Sequence, residues 1–545
     1  MTTTPTAGAD NWNLATMWEA VADEVGDAPA LIHDGVTRTW STFDDRASRF
    51  ATVLADAGIG HDSKVALALF NGHEYLEATF GAFKARAVPV NVNYRYTATE
   101  LVYLLDNADA EAIVVHADLA GRIAEIRAEL PRLKLIVQVG DGELIDGALP
   151  YEPTLDAARP APWINRSTDD LWFLYTGGTT GMPKGVMWPQ GNLFATSAPT
   201  FKGAGEPLPT NPAEVASAAR RIHDRGASLR LLPAAPLMHG TSAVASWGVL
   251  NAAGAIATLS SRSLDAEELL DVVERHRVTN LTIVGDAFAK PIVAALEADE
   301  AAGRNRDLSS LKIIVSSGVM WSQPVKDALL ARVDVALADL VGSSEGVGAA
   351  ASVAKRGRTV GTASFKLSDH SRVFTEHGTE VVPGSGESGL IAIGGPIPIG
   401  YYKDKDKTAG TFRSFAGKVW SVPGDWATVE ADGTIRLLGR GSACINTAGE
   451  KVYPEEVEET LKLHPSIIDA NVVGVPDEKW GQAVTALVST SAPVTAAELA
   501  DHCRRTLAGY KCPKHVVVVD QIVRGPNGKA DYRWAAKVAA DQLSS

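Results

Sequence analysis

Short apolar runs alternating with helix-length amphipathic segments restrict this chain more than any other feature. Lys64-Val65-Ala66-Leu67-Ala68-Leu69-Phe70 reads as a strand, the segment to about Arg86 as a helix, and Val88-Pro89-Val90-Asn91-Val92 as a second strand. That is a βαβ unit, in which the two strands are expected to run parallel. The pattern recurs with a helix near Thr97 to Asn107, then apolar runs at Ala112-Ile113-Val114-Val115, Leu133 to Val137 and Leu311 to Val315. A large, multi-lobed α/β domain with mostly parallel sheets follows.

One such core cannot absorb the whole chain of 545 residues, since single cores stop growing at about 250–300 residues. Past Trp426 the texture changes: Ala431-Asp432-Gly433-Thr434 reads as a hairpin turn, and Leu438-Gly439-Arg440-Gly441-Ser442 as the linker after it. Beyond the linker, Glu455 to Leu461 is helical, Asp469 to Val473 and Ala483 to Val488 are strands, and Ala496 to Leu507 is a second helix. The expected organisation is a large domain over 1–440 and a small, mobile α/β domain over 441–545. Glu206 to Ala219, with three prolines, reads as a mobile insertion.

Charge and composition exclude several classes. A formal charge of -14, from 65 acidic and 51 basic residues spread along the chain, gives no support to nucleic-acid binding. The three cysteines, Cys444, Cys503 and Cys512, lack the spacing of a disulfide scaffold or a metal knuckle, and a reducing cytoplasm is the expected setting. The start, Met1-Thr2-Thr3-Thr4-Pro5, has no basic n-region or apolar h-region of a secretory leader. Leu231 to Ser261 is almost uncharged but broken by prolines and glycines, so it reads as buried core and not as a membrane span.

The densest chemical signal is Leu174-Tyr175-Thr176-Gly177-Gly178-Thr179-Thr180-Gly181-Met182-Pro183-Lys184-Gly185, directly after an apolar run. Glycines let backbone N–H groups turn toward an anion, Thr176, Thr179 and Thr180 add hydroxyl donors, and Lys184 adds charge; a triphosphate is the natural guest. Pro183 beside Lys184 does not suit a loop whose lysine opens a helix, so this is not the ordinary P-loop. Read alone, the stretch is also compatible with a flexible surface loop.

In this order of residues the loop resembles that of the adenylate-forming superfamily, which comprises acyl-CoA synthetases, nonribosomal-peptide adenylation domains and firefly-type luciferases. The resemblance covers nearly the whole chain and implies further elements in fixed order. Val341-Gly342-Ser343-Ser344-Glu345-Gly346 resembles the family's acidic motif: Glu345 would hold Mg²⁺ between the phosphates, with Gly342 and Ser344 beside the nucleotide. By itself this motif reads as a loop running into a helix cap. Asp339 stands where the family contacts the adenine amino group, and Ser316-Ser317-Gly318-Val319-Met320 resembles the turn lining the adenine and acyl sites through Ser317 and Gly318. Val422-Pro423-Gly424-Asp425 supplies the family's ribose carboxylate, Asp425, and Arg440 matches an arginine that reaches ribose or phosphate.

Val341 replaces the family's usual aromatic, Ser442 stands at the hinge where most members carry aspartate or lysine, and Asn527 replaces a serine. Thr447-Ala448-Gly449-Glu450-Lys451 resembles the loop that lines the pantetheine tunnel, with Gly449 against the thiol arm. Gly525-Pro526-Asn527-Gly528-Lys529 resembles the element whose lysine bridges the substrate carboxylate and the α-phosphate. Lys529, Glu345 and Thr180 are therefore the implied catalytic set. His239, in Pro236-Leu237-Met238-His239-Gly240, occupies a family position at the acyl pocket, although isolated histidines in apolar runs are more often core residues.

The resemblance implies an acyl-CoA synthetase that uses Mg²⁺, ATP and CoA, most similar to actinobacterial fatty-acid and steroid side-chain ligases, with a hydrophobic carboxylic acid as partner. A homodimer is one oligomeric state open to it. A fatty-acyl-AMP ligase loading a carrier protein, a luciferase-like oxygenase and a catalytically silent nucleotide-binding module are the competing readings.

Overall fold

The structure is a computed structural model that describes residues 11–176, 182–319, 321–357, 364–441, 444–447, 450–477, 480–524 and 530–543. The chain divides into two compact units, one formed by residues 1–283, 303–314 and 396–412, the other by 284–302, 315–395 and 413–545.

In the first unit the expected strand–helix–strand is present. Strands Lys64–Ala68 and Val88–Asn91 pair in parallel, and helix His73–Lys84 joins them. Ala110–His116 and Leu135–Val139 extend the sheet on one side, also in parallel. On the other side Leu171–Thr176 lies parallel to Val88–Asn91, and Lys184–Pro189 pairs antiparallel with it. The helices start where their sequences say they should: Thr97 and Glu100 form a reciprocal capping box before Ala98–Asn107. Val90, Ile113, Val115, Ile136 and Phe173 are buried in one cluster, the near-continuous apolar strands that a sheet covered on both faces requires. A second set of strands in this unit runs Val36–Thr39, Pro29–His33, Ala255–Thr258, Arg230–Pro233, Asn280–Ile283, parallel apart from the first hairpin.

Glu206 to Ala219 is not a loose insertion. Arg221 and Arg225 hold the Glu206 carboxylate at 3.0 and 2.6 Å, and helix Glu214–Asp224 turns Val215, Ala218, Ala219 and Ile222 inward. The prolines read as disorder, but the two arginines are brought back by the helix that follows. Leu231–Ser261 is largely buried, as expected, and among the described residues no helix is long and apolar enough to cross a membrane.

The second unit is built differently. From Ala336 to Arg440 the strands are antiparallel, with Ala336–Ser343, Gly346–Ala354, Ser364–Leu367, Thr434–Arg440, Asp425–Val429 and Ser388–Ile393 as successive neighbours. The sequence pattern marked the turn at Ala431–Gly433 but did not separate this meander from the parallel sheets. Residues 444–543 carry their own sheet, dominated by the long hairpin Ile467–Asp477 and Gly481–Thr490. Alternation along its strands builds two cores: Val472, Ala486 and Val488 face Val457, Leu461 and Leu499, whereas Val473 and Leu487 face Ala535 and Ala539.

One buried charge cluster in the first unit sets a test of these packing assignments. Glu77, fully buried, accepts from Arg46 Nε at 2.8 Å and from the Tyr151 hydroxyl at 3.1 Å, and is ion-paired with Arg38. Removing the carboxylate leaves two nearly buried guanidinium groups with only the half-exposed Glu152 as a shared partner, at 3.6 Å from Arg38 and 2.7 Å from Arg46. Glu77→Ala should therefore lower the unfolding free energy by about 3–5 kcal/mol, measured as a lower denaturant midpoint at unchanged slope; a change below about 1 kcal/mol would contradict the burial of this cluster.

Candidate active site

The phosphate-loop candidates are joined to the fold by a hairpin. Thr176 ends strand Leu171–Thr176, Lys184 opens Lys184–Pro189, and the two are opposite each other in register, so the segment between them leaves from a closed neck. Gly177, Gly178, Thr179, Thr180 and Gly181 lie outside the described residues. A Cβ on Gly185 would sit 2.5 Å from the Tyr175 ring, so only glycine lets the two strands stay paired past that ring. Lys184 is ion-paired with Asp404, and that hydrogen bond holds the Asp404 carboxyl below the usual range. Asp404 also caps helix Lys405–Thr411 by accepting from Lys407 N at 2.8 Å.

Two asparagines, the buried Asn91 and the half-buried Asn71, organise the neighbouring turn. Strand Val88–Asn91 ends while Leu171–Thr176 continues, which would leave the Tyr175 backbone without a ladder partner. The Asn91 side chain takes over: its amide nitrogen donates to Tyr175 O at 2.9 Å and Met238 O at 2.7 Å, and its oxygen accepts from Tyr175 N at 2.6 Å. Asn71 accepts from Leu237 N at 2.7 Å and donates toward Ala235 O at 3.3 Å. Together they fix the segment that delivers His239, which is half-buried and directly precedes helix Gly240–Asn251. Neither asparagine was singled out from sequence; the available signal was a carboxamide at or just past the end of an otherwise apolar strand.

In the second unit Ser344 and Glu345 are the two tip residues of a β-hairpin, since Ser343 is opposite Gly346 at the end of Ala336–Ser343 and Gly346–Ala354. The helix cap that the isolated motif suggests is not formed. The Ser343 hydroxyl accepts from Glu345 N at 3.2 Å, and a Cβ on Gly342 would meet Gly346 O and Gly348 N at 3.3 Å. Asp339, on the same strand, is buried and accepts from Lys326 Nζ at 3.2 Å; burial pushes its carboxyl up to about 6 despite that cation. Its carboxylate is thus engaged from within, by a lysine the sequence reading did not notice.

Ser317 ends strand Ile313–Ser317, and Gly318 follows at φ +93°, in the region that favours glycine. Asp425 and Arg440 are opposite one another in register between Asp425–Val429 and Thr434–Arg440, so the two ribose candidates share one rung. Ser442, Gly449 and Lys529 lie outside the described residues. Thr447 is opposite Glu450, on either side of Ala448 and Gly449, and an antiparallel bridge joins Arg524 to Ala530, on either side of 525–529.

The family model for AMP-binding enzymes matches residues 18–402, and that for the AMP-binding enzyme C-terminal domain matches 456–529. The chain is 40% identical over 540 residues to a medium/long-chain-fatty-acid–CoA/3-oxocholest-4-en-26-oate–CoA ligase of Mycolicibacterium smegmatis, covering 97% of each. It is 39% identical over 536 residues to the 3-oxocholest-4-en-26-oate–CoA ligase of Rhodococcus rhodochrous, covering 96% of this chain and 95% of that one. Among solved structures, ATP-bound MatB from Rhodopseudomonas palustris superposes with a TM-score of 0.81 at 24% identity, covering 98% of this chain and 99% of that one. The anthranilate CoA ligase AuaEII bound to anthranoyl-AMP gives 0.81 at 21% identity, covering 98% of both. The chain belongs to the AMP-binding enzyme family.

Replacing Asn91 with leucine keeps the volume but leaves buried Tyr175 and Met238 backbone groups unpaired. The expected cost is about 3 kcal/mol of unfolding free energy, read from denaturant midpoints. The same variant should show a raised KM for ATP, because the neck at Thr176 loses its inner support; an unchanged KM would separate Asn91 from the nucleotide site.

Proposed function

We propose that this chain is an AMP-forming acyl-CoA synthetase acting on a medium- or long-chain fatty acid or a steroid side-chain carboxylate. The observation that carries the reading is an end-to-end match, over 97% of both chains, to a ligase named for that activity. The cytoplasm, where ATP and CoA are available, is the proposed compartment.

The physical problem is that a carboxylate is a poor electrophile. Its oxygen attacks the α-phosphorus of ATP, pyrophosphate leaves, and the acyl carbon is then bonded to a good leaving group, AMP. The thiolate of CoA attacks that carbon and AMP departs with the former carboxylate oxygen. In the first step Thr176, Gly177, Gly178, Thr179, Thr180 and Gly181 cradle the phosphates, and Lys184 exchanges Asp404 for phosphate oxygens. Asp425 and Arg440 hold the ribose from their shared rung, and Lys529 stabilises charge between the carboxylate and the α-phosphate.

The donor set fits magnesium: Glu345 stands at an otherwise neutral hairpin tip, and this cation needs only one or two carboxylates beside phosphate oxygens. Bound there, Mg²⁺ would supply neutralisation of the phosphate charge. His239, with the pinned turn before it, borders the acyl site. For the second step, residues 441–545 rotate about Ser442, withdrawing Lys529 and bringing Gly449 to the pantetheine arm.

A panel of short, medium, long and steroid side-chain acids, each with and without CoA, tests the reading by pyrophosphate release. An apolar acid should turn over fully only with CoA, and Lys529→Ala should cut its adenylation by about 10²–10³-fold. Steady release without any CoA requirement would favour a carrier-loading acyl-AMP ligase, and the absence of release with every acid would return the chain to a silent nucleotide-binding module.

A further inference from the structure

The segment that carries Lys529 is held at its base by a bidentate ion pair whose other partner lies on a distant strand. Arg524 and Ala530, on either side of residues 525–529, are joined by an isolated antiparallel bridge, with a long Asp531 N to Val523 O contact of 3.4 Å beyond it. So short a pairing is marginal without tertiary support. Support comes from Asp469 on strand Ile467–Asp477: Arg524 donates through Nε to Oδ2 at 2.8 Å and through Nη2 to Oδ1 at 2.6 Å. Two parallel bonds between planar groups fix direction and rotation as well as distance.

Asp469 is itself fixed, accepting from Ala470 N at 2.9 Å, with Lys462 Nζ at 4.0 Å. Burial alone would raise its carboxyl, but the Arg524 hydrogen bonds and charge outweigh that and hold it below the usual range. The other flank is tied to the same body. Asp531 accepts from Trp534 N at 2.9 Å at the start of helix Tyr532–Leu543, and the Tyr532 hydroxyl donates to Glu458 at 3.4 Å. Glu458 in turn accepts from Val472 N at 2.8 Å, on the strand that carries Asp469.

Stability does not account for the Arg524–Asp469 pair. The two side chains keep 18 and 22% of their surface exposed and share a charged setting with Lys462 and Glu458, where one ion pair adds little. What a partly buried, forked ion pair supplies is a fixed orientation.

We propose that Asp469 is a positioning residue for the adenylation half-reaction: through Arg524 it sets the base of the segment bearing Lys529. The inference rests on the ligase reading above. In that reading Lys529 acts only while the adenylate forms and is withdrawn before the thiol attacks, so a positioning defect is confined to the first half-reaction. A defect in folding would weaken both.

The test uses the full-length enzyme and measures the two half-reactions separately: pyrophosphate release in the absence of CoA, and acyl-CoA formation from supplied acyl-adenylate plus CoA. Asp469→Asn keeps the shape and loses the charge. Adenylation should fall about 10–100-fold, the scale expected for a catalytic group displaced by about 1 Å, with thioester formation within about twofold of the unaltered enzyme. Arg524→Lys keeps the charge but not the fork, and should give a smaller loss of the same kind; it decides the matter if Asp469→Asn does not fold. Equal loss in both half-reactions, or loss in neither, overturns the proposal. Absence of both half-reactions in the unaltered enzyme overturns the ligase reading, and this inference with it.

Discussion

Where one strand runs on past its neighbour its backbone loses hydrogen-bond partners, and the first unit restores them with side chains. Val88–Asn91 stops at Asn91, and its carboxamide completes the ladder at Tyr175, one residue before the neck of the phosphate-loop hairpin. The same amide reaches Met238, so the neck and the His239 turn are referenced to one buried side chain. Asn71 does the corresponding work for the backbone at Ala235 and Leu237. Unpaired, these groups would each cost about 1–3 kcal/mol, enough to let the turn and the neck drift apart.

Charge is used in a similar way beside the candidate site residues. Lys184 has Asp404 as its partner, and Asp404 is tied to the start of a short helix, so the lysine is held near the neck before any phosphate arrives. Asp339 and Lys326 form a buried pair on the strand that leads to the Glu345 hairpin, fixing the strand behind the tip. Arg524 and Asp469 do this for the flank of Lys529. The Arg524–Asp469 pair stands behind the candidate contacting residue, whereas Lys184 and Asp339 are candidate contacts that are themselves held by a partner.

Local pattern carried the parallel half of the fold, because a strand covered on both faces must be apolar throughout and its helix amphipathic; residues 64–92 and 110–139 announce themselves that way. It did not separate out the antiparallel strands of 336–440, which mix polar and apolar residues. Gly342 to Gly346 shows why. Serines before a glutamate favour a helix cap locally, and only the pairing of Ser343 with Gly346 makes them a hairpin tip. Glu206 misled for the converse reason, since its prolines are visible locally and its arginine partners are not. Asn71, Asn91, Lys326 and Asp404 went unread because each acts on a residue far along the chain or outside any motif. Among the site residues, the rung between Asp425 and Arg440 and the neck between Thr176 and Lys184 are pairings that only the strand register reveals.

In the proposed reaction the acid's own oxygen becomes part of AMP. It is tested most directly by supplying a medium-chain acid labelled with ¹⁸O in its carboxylate, together with ATP and CoA, and examining the products by mass spectrometry. The account predicts one labelled oxygen in AMP and none in pyrophosphate, because the carboxylate oxygen attacks the α-phosphorus and stays with it when the thiol displaces AMP. Unlabelled AMP, or label appearing in pyrophosphate or inorganic phosphate, would contradict it.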